Sequence, residues 1–185
     1  MPLFGTVFYL FANENFFVLE QKYLIIIQVS IIMLFIPICI YCLLKTLGKV
    51  DSIMLSNVSQ RKIPLTIQAV LIGILIGKSI TADAAAELHY FFLGGLASTL
   101  IALCLSFAKI KASLHTMGIS ALTLFVIGLS MHNQTNALYY IALLILSNGL
   151  VAASRLEMNA HDGKELALGF VSGILPQMAL WYFWL

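Results

Sequence analysis

The sequence predicts an all-α, integral membrane fold, a single-domain bundle of six transmembrane helices spanning residues 1–185. Three observations lead there. Of 185 residues, 61% are apolar and only 10% charged, against roughly 25% charged in a soluble domain, and the mean hydropathy is +1.00. Six apolar stretches each approach the roughly 20 residues that a membrane-spanning helix requires. The connections between most of them are short and hold turn or cap residues.

In chain order, residues 1–21 are aromatic and apolar, interrupted by Asn13, Glu14 and Asn15. They lack a basic leader and a small-residue cleavage site, which argues against a cleaved signal peptide. Phe and Tyr favour headgroup depth, so an interfacial N-terminal helix is expected. The spans follow at about 23–47, 63–80, 84–108, 114–131, 137–153 and 166–185. Thr81-Ala82-Asp83 and His132-Asn133-Gln134-Thr135 close two of the turns. Cys39 and Cys42 have C-x-x-C spacing inside an apolar span, and Cys104 is isolated. All three read as packing residues, because thiolate chemistry needs polar access.

Six crossings put both termini on one side and three polar segments on the other: 48–62, 109–113 and 154–164. That second side carries Lys45, Lys49, Arg61, Lys62, Lys109, Lys111, Arg155 and Lys164, against Lys22 and Lys78 on the terminal side. Such an asymmetry marks a cytoplasmic face, and a phosphate-binding site concentrates the same residues.

Each polar segment carries chemistry. Arg61 lies shortly before Pro64, beside a helix start. Ser113 can cap the fourth span, whose free N–H groups form an anion site. His115 sits just inside that helix, after Lys109 and Lys111. Ser154-Arg155, then His161, then Glu165 form the richest stretch. A guanidinium holds phosphate oxygens, an imidazole attacks phosphorus, and a carboxylate one helical turn on orients the imidazole. His161 and Glu165 could also coordinate zinc from one helix face, but no further ligand lies nearby in sequence.

Together these segments resemble the type-2 phosphatidic acid phosphatase superfamily of membrane lipid phosphatases, in the looser form of small bacterial members. The family signatures are Lys-x6-Arg-Pro, Pro-Ser-Gly-His and Ser-Arg-x5-His-x3-Asp. Ser154-Arg155, His161 and Glu165 match the third, with Glu in place of Asp. Ala112-Ser113-Leu114-His115 keeps Ser and His of the second. In the first, Arg61 precedes Lys62-Ile63-Pro64, and Met54 stands where the lysine is expected.

The resemblance implies hydrolysis of a phosphomonoester or pyrophosphate on a lipid, without metal or other cofactor. His161 would be the nucleophile forming a phosphohistidine, Glu165 its orienting partner, and His115 the acid and base. Arg155, Arg61, Ser113 (hydroxyl and backbone N–H), Ser154 and Lys111 would hold the phosphate. It implies a bacterial inner-membrane protein with a periplasmic site, whose partners are a lipid phosphate and membrane lipids, not nucleic acid. Phosphatidate, phosphatidylglycerol phosphate, a polyprenyl pyrophosphate and a lipid A phosphate all share that chemistry. Two other functions fit the sequence. One is a non-catalytic lipid-phosphate-binding protein of the same fold. The other is a small transporter using Lys78, Asp83, Glu87 and His89, ionisable groups near the ends of the second and third spans.

Overall fold

A computed structural model describes residues 1–12, 17–48 and 58–185, the side chain of Ser59 excepted. Lys49, Met54 and the rest of segment 49–57, and Asn13, Glu14 and Asn15, lie outside the described residues. The helices are α1 (Pro2–Ala12), α2 (Leu19–Ser30), α3 (Ile36–Thr46), α4 (Lys62–Lys78), α5 (Ala86–Phe107), α6 (Leu114–His132), α7 (Leu138–Glu157) and α8 (Gly163–Trp184), and no strand occurs among the described residues. A wider π turn, Ile31–Phe35, joins α2 to α3. Pro37 lies just beyond it, lacking an N–H and crowding the preceding turn, so widening there relieves the clash.

Among the described residues, five stretches are long and apolar enough to cross a membrane: Leu19–Thr46, Ala86–Phe107, Leu114–His132, Leu138–Glu157 and Gly163–Trp184. The second expected span corresponds to α4, which has 17 residues.

Burial sorts the helices into layers. The α6 span is 61% buried, whereas the Leu19–Thr46 span is 6% buried and the α7 span 0%. The centre therefore consists of α5, α6 and α8, with α4 against α5. Phe91 stacks on Phe125 at 4.3 Å, and Tyr9 and Trp184 pack on the same ring. The outer helices present Leu, Ile and Tyr outward, which suits contact with lipid chains.

In the N-terminal segment, α1 runs along the bundle against α5 and α6, with Thr6, Tyr9 and Leu10 buried. Tyr9 reaches Glu87 in the first turn of α5, Gly5 faces Phe91 and Leu122, and Met1 lies against Gly118 near the far end of α6. The reason is compositional: α1 has no charged side chain and no polar stripe to hold it at headgroup depth, so it buries its small and aromatic face.

A close seam fixes α6 against α8. A Cβ at Gly169 would collide with Thr116 Oγ1 and the Ser113 carbonyl, and one at Gly173 with Met117 O and Ser120 Oγ. Gly169-x-x-x-Gly173 thus supplies the small-residue spacing that lets two helices approach closely. The seam lies directly beneath the first turns of both helices.

Candidate active site

Three connections meet at one end of the bundle: the 3-10 turn Val58–Arg61 before α4, the α5–α6 connection, and the α7–α8 turn. Backbone geometry sets their shape. Lys109 and Asn159 occupy left-handed conformations, at φ 60° and 50°, just beyond α5 and α7. The N–H of Ile110 returns to Leu105 O at 2.9 Å and that of Ala160 to Arg155 O at 3.1 Å. Each is the six-to-one bond of a Schellman closure. The second one aims His161 back toward the bundle.

Asp162 caps α8, its Oδ1 accepting from Glu165 N at 2.7 Å. With the α8 backbone so fixed, the Glu165 side chain turns toward His161, and Nδ1 and Oε2 lie 2.6 Å apart. The His161 side chain is only 6% exposed. Lys111 Nζ donates to Ala160 O at 2.6 Å and stands 3.7 Å from Glu165 Oε2. Arg61 is buried, and its Nη1 donates to Ala112 O at 2.9 Å. Ser113 N donates to Glu165 O at 3.1 Å, tying the start of α6 to the start of α8. His115, exposed at this end, has Arg155, His161 and Arg61 as its electrostatic neighbours.

The expected site residues divide accordingly. Arg61, Lys111, Ser113, His115, Arg155, His161 and Glu165 all come to this end. Ser154 does not face the group: it is exposed on α7, its hydroxyl directed to Met158 Sδ at 3.8 Å. Ser113 also differs from expectation. Its backbone N–H is committed to Glu165 O, and its fully buried hydroxyl accepts the Thr116 N–H as the helix cap. The capping role holds, but the N–H is not available to an oxyanion. Asp162 was not among the expected residues. Asp162-x-x-Glu165 has the spacing of a helix-start box, a local signal that could have found it.

The electrostatics suit a neutral imidazole beside cations. Burial lowers the His161 pKa from its usual value; the hydrogen bond to Glu165 opposes this, and the Lys111 charge reinforces it. Burial likewise weakens proton retention on Arg61, and the Glu165 charge only partly opposes this. With Nδ1 on Glu165 as donor, His161 Nε2 carries the lone pair.

The ionisable groups considered for transport lie at the opposite end, where Glu87 and His89 are engaged. Tyr9 Oη donates to Glu87 Oε2 at 2.9 Å, His132 Nε2 lies 3.4 Å from Glu87 Oε1, and His89 Nδ1 lies 2.7 Å from Ile80 O.

No family model, curated protein or solved structure matches the chain.

Proposed function

We propose that the protein is a membrane lipid phosphatase that works through a phosphohistidine. The observation that carries this reading is the 2.6 Å contact between His161 Nδ1 and Glu165 Oε2 among Lys111, Arg61 and Arg155, with His115 facing the group. A carboxylate-oriented imidazole in a cationic, partly water-shielded site suits attack on an anionic phosphorus centre.

The step balances as follows. His161 Nε2 attacks phosphorus while the bond to the lipid oxygen breaks, and His115, entering as imidazolium, gives its proton to that oxygen. A water molecule then attacks the phosphohistidine, passing a proton to His115. The P–N bond breaks, inorganic phosphate leaves, and both histidines return to their starting states. Arg61, Arg155 and Lys111 stabilise charge on the phosphoryl oxygens, the Lys111 ammonium supplying the cation that Met54 cannot. In this reading the chain is an inner-membrane bundle in which α4 makes the sixth crossing, with its site toward the periplasm. Its 17 residues cover about 25 Å at the rise of an α-helix, close to the thickness of a bilayer core.

The test is phosphate release by purified protein from phosphatidate and from an alkyl phosphate. Wild type should release phosphate and His161→Ala should not, while retaining its helical content. Full activity in His161→Ala would remove the mechanism. No activity in wild type would instead favour the lipid-phosphate-binding reading, which the commitment of Ser113 N–H to Glu165 O supports.

A further inference from the structure

A cavity of about 350 Å³ opens beside His115 and descends between α4, α5 and α6, a volume at the small end of ligand pockets. Its walls are mostly apolar, including Leu65, Ile72, Leu114, Met117 and Ala121. His115 therefore belongs both to the cationic group and to this cavity. In the proposed phosphatase reaction, the group leaving phosphorus departs toward His115 and so toward the cavity mouth.

Two polar side chains deep in the cavity wall each leave one oxygen unpartnered. Ser98 is 2% exposed and Gln177 0% exposed, and neither Ser98 Oγ nor Gln177 Oε1 has a hydrogen-bond partner among the described residues. The orientation of the Gln177 amide is fixed: Nε2 donates to Phe91 O at 3.0 Å, so Oε1 is the atom left over. Gly94 allows this, since a Cβ there would sit 2.5 Å from Nε2 and 3.1 Å from Oε1. Thr99, by contrast, spends its hydroxyl on Gly95 O at 2.8 Å.

Depth separates this pair from the phosphate group. Ser98 lies nine residues before the end of α5 at Phe107, roughly 13 Å along the axis. Gln177 lies fourteen residues into α8 from Gly163, roughly 21 Å. Gln177 Oε1 requires a donor, and Ser98 Oγ can donate or accept. Gln177 Oε1 lies beside Gly94, one helical turn from Ser98, so a hydroxyl between them would donate to Gln177 and accept from Ser98, whereas a saturated chain leaves two buried polar atoms unpaired.

We infer that this cavity takes the apolar anchor of the lipid phosphate, and that Ser98 and Gln177 select an anchor bearing a hydroxyl part-way along its chain. The inference rests on the phosphatase reading for the phosphate end, and the cavity itself can be tested without it.

The experiment uses the full chain in detergent, with phosphate-free long-chain alcohols and diols whose second hydroxyl moves carbon by carbon along the chain. Thermal stabilisation should peak at one internal position and exceed that given by the plain alcohol. In parallel, the matching hydroxyalkyl phosphate should be hydrolysed with kcat/KM about tenfold above the plain alkyl phosphate. Ser98→Ala, which removes an unpaired hydroxyl and so does not threaten folding, should flatten both profiles. Gln177→Met should do the same. A flat series in wild type, or a peak that persists in both variants because the polar pair binds only water, overturns the assignment. Phosphate release with a flat diol series rejects the anchor site and keeps the phosphatase. A diol peak with no phosphate release from any substrate does the reverse.

Discussion

Each end of the bundle holds a histidine–glutamate pair, and the two pairs differ in everything around them. His161 and Glu165 approach to 2.6 Å with Lys111, Arg61 and Arg155 nearby. His132 and Glu87 stand 3.4 Å apart beside a tyrosine hydroxyl and the Trp184 ring. In the first pair the carboxylate orients an imidazole that faces cations. In the second the carboxylate joins α1, α5 and α6 through Tyr9 and His132, and the arrangement is already complete. Under the proposed function, the same two residue types thus make a reactive group at one end and a clasp at the other.

The sharpest way to break this contrast is His115→Ala. At the cationic end it should slow phosphate release by about 10²–10⁴-fold, the range for a lost general acid–base group. A loss confined to KM would reassign His115 to binding. Glu165→Gln keeps an acceptor for His161 Nδ1 but removes the charge that stabilises imidazolium. Its turnover should fall between wild type and His161→Ala, with circular dichroism unchanged. If Glu87→Gln gave an equal loss of turnover, the two ends would not be functionally distinct.

Tyr9→Phe tests the clasp. It removes a hydrogen bond to a carboxylate and should cost about 1.5–3 kcal/mol of stability, read by denaturant titration, with phosphate release unchanged below the transition. The smallest effect is in pH. Because burial lowers the His161 pKa, the imidazole stays neutral below its ordinary value of about 6.5, and the acid limb of kcat/KM should lie beneath that pH. The linked stability has the same sign: the unfolded chain takes up the proton first. The contribution is therefore complete above about 6.5 and declines as pH falls. An acid limb above that value would mean that Glu165 outweighs burial.

The helices were legible because apolar runs of spanning length leave the backbone no partner but itself. Expected spans at 114–131 and 137–153 became Leu114–His132 and Leu138–Glu157. The longer second helix places Arg155 on α7 rather than in a loop. His161 and Glu165 were legible because their contact is local, one turn apart at the start of α8. What the sequence hid was tertiary. Arg61 meets Ala112 across 51 positions, and Gln177 meets Phe91 across 86; neither has a spacing to read. The packing of α1 on α5 and α6 was equally hidden, because aromatic residues suit both an interface and a core.

The helix that carries Arg155 buries none of its residues. It touches α6 through the Asn148–Thr123 hydrogen bond at 2.7 Å and α1 through the Tyr140–Phe8 ring contact. In a bilayer, its height is therefore set as much by hydrocarbon thickness as by protein. A thinner membrane would tilt or slide α7 at modest cost, moving its guanidinium relative to the α6–α8 seam that holds His115 and His161. Under the proposed function, lipid composition would then bear on the site from outside, through a helix with no buried residue.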